Sequence, residues 1–450
     1  MLFRSGGLTS IANNQSSLRS TLIVGGNMNV NGLLNSEITS SVACGAESVS
    51  VNGNTTFNGG KISFNQGAHA TVLNFNGNVL MQGGTAYLSK TGGLLNATIH
   101  GNLEIGSGQM NVRGANGAGN LSVTGNFIQH GGEFCLYNHL FEGAVSPIEM
   151  NIAGNLLLQS GIFRFNKIGG GTEGHTVKVS GATVQIENGF QIANETGTTT
   201  PVMGNLIYNR SGSTLLKNRS QGVCIQGVRQ IVGTSTTLLM DEGNLQTSSL
   251  NTPITDAVSV DGILDMGTHR IASNRKCAYT GLKVNASGKI RIASEGGLYS
   301  SAANSTIDIQ GNFCYQLASG STVEYYGNNN QVITGTGEGT AITDAQKYSN
   351  LEINKSGGNA YLLSSGVVVK NQLRLTSGEL DLHQNNLTIN NNNTAPVVAV
   401  NGFIRSESSN LNTSGLVVVK NPQTVNIRFG KSMDKRSEEH TSELQSHSFI

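Results

Sequence analysis

The sequence predicts an all-β chain wound as a parallel β-helix, a β-solenoid built from coils of about 24 residues. Three observations predict it. Glycine fills 59 of 450 positions, whereas proline fills 5 and charged residues make up only 12 %. The pair Gly-Asn recurs at Gly53-Asn54, Gly77-Asn78, Gly101-Asn102 and Gly125-Asn126, 24 residues apart each time, and returns at Gly154-Asn155. Between these marks apolar and polar residues alternate, the period-two pattern of strands with one buried face.

The composition excludes several classes. Low charge argues against a charge-driven disordered chain, and scarce proline against collagen or a polyproline linker. No apolar stretch approaches the ~18 residues of a membrane-spanning helix, so no membrane span is expected. A formal charge of +1 provides no field for a polyphosphate, and no nucleic-acid partner is expected.

Both ends resemble a common short-read sequencing adapter in translation. Residues 436–446 read RSEEHTSELQS, one frame of that oligonucleotide, and residues 1–5 read MLFRS, a frame of its reverse complement with GTG as start codon. Residues 1–5 and 436–450 are therefore expected to be adapter-derived and are set aside from fold reasoning. Of the rest, 6–190 reads as regular solenoid, 191–255 as irregular coils or a loop insertion, and 256–435 as continuing solenoid.

Stacked on the repeat, the units read VNGNTTFNGGKISF, FNGNVLMQGGTAYL, IHGNLEIGSGQMNV, VTGNFIQHGGEFCL and IAGNLLLQSGIFRF. One apolar column is Val51, Phe75, Ile99, Val123 and Ile152, preceded by Leu73, Ala97, Leu121 and Met150. A second pair of columns is Ile62/Phe64, Ala86/Leu88, Met110/Val112, Phe134/Leu136 and Phe163/Phe165. Glycine pairs between the strands, including the mark Gly60, Gly84, Gly108, Gly132 and Gly161, are expected to supply positive φ at tight corners. The column Asn54, Asn78, Asn102, Asn126 and Asn155 is expected to form a side-chain amide ladder, as in cross-β stacks. Some 18 coils at ~4.8 Å each would make a rod on the order of 85 Å long.

The phrases SGSTVEYYGNNNQVITGTG from Ser319, YSNLEINKSGG from Tyr348 and VVVKNQLRLTSGELDLHQNNLTI from Val367 resemble large secreted or cell-surface proteins of Bacteroidetes-type bacteria. Those proteins carry Gly/Asn-rich β-repeats and often end in a type IX secretion sorting domain; units such as VTGNFIQHGGEF look like the same repeats. The resemblance is to a style of repeat, not to an activity. It implies export and an extracellular or outer-surface location.

Residues with chemistry are few. The first aspartate is Asp241, so the regular half can hold neither the Asp-bearing loops of a calcium-binding β-roll nor an Asp cluster of a polysaccharide lyase or hydrolase. The best catalytic candidates are Asp261, Asp265, His269 and Arg270 in VDGILDMGTHR, a carboxylate pair with a base and an anion clamp. Against this, GILDMGTHRI aligns with GELDLHQNNLTI and makes Asp265 the counterpart of Asp381, an outward residue between inward neighbours, which favours a structural repeat. Tyr87 and Tyr326 are candidate platforms for sugar rings.

His100, His130, His139 and His175 lack metal-ligand spacing, and no metal or cofactor is expected. Cys44, Cys135, Cys224, Cys277 and Cys314 are scattered, with no CxxC pair and no disulfide framework. Cys135 falls in an outward column with Ser63, Tyr87 and Asn111 and is expected to be exposed. The expected function is a non-enzymatic stalk or passenger segment of an exported surface protein, with any partner among extracellular glycans or other surface proteins. The alternative is a glycan-binding or polysaccharide-degrading β-helix whose site lies in loops or in flanking domains.

Overall fold

A computed structural model describes residues 20–31, 47–64, 70–90, 92–115, 117–138, 146–167, 174–195, 203–220, 224–247, 256–273, 281–299, 304–309, 315–334, 347–363, 367–391, 395–406, 415–420 and 427, with the two-residue strands Leu2–Phe3 and Leu34–Asn35. Residues 436–450 lie outside this set, as do Cys44, His139, Cys277 and Cys314. The described residues form an all-β, parallel β-solenoid without a helix, of about 12 turns with coils about 26 residues apart.

One coil shows how the sequence makes the fold. Thr71–Phe75 forms the first side, Gly77-Asn78 the corner, Val79–Met81 the second side, Gly83-Gly84 the next corner and Thr85–Ser89 the third side. Copies of the first strand stack into a twelve-stranded sheet running from Ser20–Val24 to Tyr315–Leu317. Successive strands pair in parallel with a shift of one coil, as Leu73 with Ala97 and Ala97 with Leu121. The shift is 24 residues in the regular coils but reaches 33 between Leu282 and Tyr315. The described residues make about 12 turns, matching the twelve strands of this sheet, rather than the expected 18 coils. At ~4.8 Å per coil that is a rod on the order of 60 Å.

All the predicted apolar columns point inward: Val51, Phe75, Ile99, Val123 and Ile152 are at most 1 % exposed. They belong to one hydrophobic cluster that runs without a break from Val24 to Ile404. Aromatic rings continue it from coil to coil, with Phe127, Phe134 and Phe163 meeting at centroid distances of 4.9–5.4 Å. Through 191–255 the first sheet continues as Gly204–Tyr208 and Val228–Val232, and it runs on into Val258–Val260. The third side is interrupted there: an eight-stranded sheet ends at Ile225–Gln226, and a three-stranded one starts at Leu245–Gln246.

The two glycine marks work for different reasons. Gly60, Gly84, Gly108, Gly132 and Gly161 have φ between 65° and 102°, the left-handed conformation expected of them. The glycines of the Gly-Asn corners do not. A Cβ on Gly101 would lie 2.4 Å from Asn78 Oδ1 and 2.8 Å from the Asn78 main-chain nitrogen, so that corner needs glycine because consecutive coils nearly touch. The outward column of the third side also differs from expectation. Ser63, Tyr87, Asn111 and Cys135 do stand in register, yet Ser63, Asn111 and Cys135 are buried. Their neighbours close over them: the Tyr87 ring lies against Gly114, and Asn138 Nδ2 donates to Asn111 Oδ1 at 2.9 Å. Arg164, next in register after Cys135, reaches back to Glu133 at 3.0 Å.

The corner geometry makes a direct prediction. Gly101→Ala should lower stability by about 2–4 kcal/mol, because the added methyl meets main chain with no room to retreat. Gly59→Ala, where a Cβ would have nothing within 4 Å, should stay within about 0.5 kcal/mol. Equilibrium denaturation of the two variants beside the parent chain checks the contrast; equal effects would refute the close-approach account.

Candidate functional site

Two outer features carry polar side chains in order, and each begins with local sequence. At the Gly-Asn corner the chain turns between two short strands, which aims the Asn side chain along the solenoid axis. Asn27 Oδ1 accepts the Asn54 main-chain N–H at 2.8 Å; Asn54, Asn78, Asn102 and Asn126 repeat the contact onto the next corner at 2.8–2.9 Å. Asn155 Oδ1 ends the series by accepting from Thr183 N–H at 2.9 Å. The ladder is therefore side chain to main chain, not the amide-to-amide stack expected, because the stacked glycines bring each backbone N–H under the preceding carboxamide. Amide pairs do occur elsewhere, as Asn58 Nδ2 on Asn31 Oδ1 at 2.6 Å and Asn76 Nδ2 on Asn52 Oδ1 at 3.0 Å. Every such contact runs from one coil to the next, so the ladder fastens the rod and presents no converging set of groups.

The second feature is a charged stripe. Asp265, Arg291, Glu324, Glu352 and Arg374 stand in register on five successive strands, each between two inward apolar residues such as Leu264/Met266 and Val323/Tyr325. Asp265 Oδ2 accepts from Arg291 Nη1 at 2.6 Å, and Arg291 Nε donates to Glu324 Oε2 at 3.0 Å. Glu324 and Glu352 would be like charges on adjacent strands, and Lys289 Nζ joins them at 3.1 and 2.7 Å. The carboxylates are the inner layer, with Glu324 at 4 % and Glu352 at 11 % side-chain exposure; the cations cover them, Lys289 at 28 % and Arg374 at 45 %. Burial opposes ionisation of Glu324, but the Asn354 amide and the Lys289 and Arg291 charges outweigh it and hold the carboxyl below its usual range. A general acid needs the opposite shift.

The four catalytic candidates do not converge. Asp261 sits at a corner and accepts from Asn285 Nδ2 at 2.7 Å. Asp265 belongs to the stripe, where Tyr326 donates its hydroxyl at 2.5 Å and the Gly267 N–H donates at 3.2 Å. His269 follows the strand with its N–H on Met266 O at 2.8 Å, and Arg270 Nε donates to Ser305 O at 3.2 Å. The counterpart Asp381 uses the same devices as Asp265: an arginine one coil on, Arg405, and the N–H two residues on, His383 at 2.8 Å. Neither aromatic candidate offers a bare ring. Tyr87 is half-buried with its hydroxyl 3.4 Å from Asn138 Nδ2, and Arg291 lies over the Tyr326 ring, 4.5 Å from its centroid.

No protein family model, no curated protein and no solved structure matches this chain. Among the described residues no group of three His, Cys, Asp or Glu side chains is arranged to hold a metal ion. Cys135 and Cys224 are buried free thiols, and burial pushes both upward, toward the unreactive protonated form. The sequence reading missed Lys289, Arg291, Glu324, Glu352 and Arg374. Their signal was present as KIRI, VEY, LEI and LRL, single charges between inward apolar residues, but coil lengths other than 24 concealed the column. It also missed Lys355, which is buried with Nζ 2.6 Å from Gln331 Oε1 and 2.5 Å from Asn329 O; burial pushes its ammonium down to about 8.

Removing the cation shared by two acids should expose their conflict. Lys289→Met is expected to cost about 2 kcal/mol at pH 7, since it removes the one cation shared by the adjacent Glu324 and Glu352 and leaves each with a single arginine, Arg291 or Arg374. The cost should shrink as the pH is lowered and protonation of Glu324 removes the repulsion. Urea midpoints of parent and variant at pH 7 and pH 4 measure this, and a pH-independent difference would contradict it.

Proposed function

We propose that the chain is a non-enzymatic structural stalk or passenger segment of an exported bacterial surface protein. The observation that carries this reading is that the ordered outer charges satisfy one another from coil to coil. Lys178 pairs with Glu149, Arg229 with Asp256, Arg219 with Glu187 and Glu242, and Arg405 with Glu379, each across one coil. Such pairs hold the register of a rod and leave no carboxylate of the stripe free to move a proton. The unbroken core and three-sided inter-coil hydrogen bonding supply stiffness, so the mechanism is mechanical: the solenoid spaces or displays what is joined to it. Export and an outer-surface location rest on the resemblance of the repeats to Bacteroidetes-type surface proteins, and extracellular glycans or other surface proteins are the partners that setting offers.

Two measurements on the full chain test the proposal. In single-molecule stretching, coils of about 26 residues should peel in length increments of about 80 Å or whole multiples of it. Featureless extension at low force, the behaviour of an unpacked linker, would count against a rod. On a glycan array and a polysaccharide panel the chain should show neither selective binding nor release of new reducing ends. Tight, selective binding or turnover would replace the spacer with the glycan-directed alternative.

A further inference from the structure

The first-sheet strands are joined at their starts by a repeating main-chain bond. Thr71 N–H donates to Leu94 O at 2.7 Å, Leu95 N–H to Ala118 O at 3.1 Å, and Gly119 N–H to Pro147 O at 3.4 Å, each acceptor lying just before the strand of the next coil. At the next step the pattern breaks. Ile148 N–H donates to the imidazole Nδ1 of His175 at 3.1 Å, so a side chain stands in for the main-chain acceptor. His175 is 2 % exposed, its own carbonyl accepts from Asn205 N–H at 2.8 Å, and its Nε2 is buried with no hydrogen-bond partner among the described residues. An Nδ1 that accepts requires the neutral ring with its proton on Nε2.

We propose that His175 is an acid-released latch between the coil of residues 146–167 and the coil of residues 174–195. Protonation places a hydrogen on Nδ1, facing the Ile148 N–H, so the bond at the start of the ladder between the two coils becomes a repulsion between two donors. Among the described residues the surroundings give the imidazolium no help. From the third side, Tyr137 lays its ring against the imidazole at 5.6 Å, and Arg113, one coil away in register with Tyr137, is directed at the Ala115 and Ala118 carbonyls. From the 148–152 strand the titratable group is Glu149, which is engaged outward with Lys178 at 2.8 Å. Tyr208, on the 204–208 strand, gives its hydroxyl to Gln230 Oε1 at 2.8 Å. Among the described residues no carboxylate faces the ring.

Burial pushes His175 down to about 4, whereas an unfolded histidine titrates near 6.5. The opened state therefore binds the proton first as the pH falls. The latch is fully closed above about pH 6.5 and is progressively lost toward pH 4. It acts at one seam of the rod and leaves the other coils' main-chain bonds intact.

Hydrogen exchange on the full chain, read as protection of residues 148–152 relative to residues 95–99 at each pH, tests the latch. Between pH 7 and pH 4.5 the relative protection should fall by about 50-fold in the parent chain. In His175→Gln, whose carboxamide oxygen can accept the same N–H without titrating, the ratio should stay within about threefold. A parent ratio that does not change with pH would overturn the proposal. So would the same pH-dependent loss in His175→Gln, because the proton would then be acting elsewhere. If the glutamine variant misfolds, the His175 ring titration followed by NMR in the parent decides: loss of protection must accumulate above the native ring's midpoint and level off below it, and a midpoint above pH 6 would refute the buried latch.

Discussion

The distance between one coil and the next, about 4.8 Å along a parallel ladder, is the constraint on which the rest of this molecule depends. At the Gly-Asn corners it becomes a contact between main chains, with no room for a Cβ on Gly53, Gly77, Gly101 or Gly125. The same closeness lets each asparagine carboxamide reach the following N–H. Once the corner fixes register, like residues must stack. The apolar columns become a continuous core, and every outward residue meets its counterpart one coil away rather than a partner across a cleft.

That geometry explains why polar groups here pair along the axis. On a flat face of parallel strands a charged residue has neighbours directly above and below, and opposite charges in register are favourable while like charges are not. The stripe from Asp265 to Arg374 obeys this except at Glu324 and Glu352, and Lys289, one column away, resolves the exception. Buried cations follow a second rule. Arg113 and Lys355 are directed at main-chain carbonyls of nearby turns, which lets a long side chain close a corner from inside. Such arrangements stabilise a register; they do not assemble a nucleophile, a base and an oxyanion donor around one point.

The coils differ in how they are closed. From Asn27 to Thr183 the corners share one ladder of uncharged side chains; beyond residue 256 the charged stripe runs along the outer face, and Tyr325 and Tyr348 meet in the interior at 2.8 Å. In a stacked repeat, stability is a sum over neighbouring coils, so local chemistry at one interface sets the stability of that interface alone. An acceptor supplied by His175, where neighbouring steps use a carbonyl, is a local difference of this kind.

The sequence by itself determined the fold class, the inward columns and the corners, because a 24-residue repeat of glycine and a period-two alternation leave few other ways to bury Val51, Phe75 and Ile99. It could not show which atom of Asn78 is used, nor that Gly101 is required by contact and not by φ, since both depend on how near the next coil lies. Cys135 looked exposed because alternation assigns a face but says nothing of what covers that face. The charged stripe, whose members were legible only as isolated residues, was decided entirely by tertiary structure. Coil lengths of 26 and 33 residues bring Asp265, Arg291 and Glu324 into one column, and the ladder, not the sequence spacing, is what counts them as neighbours.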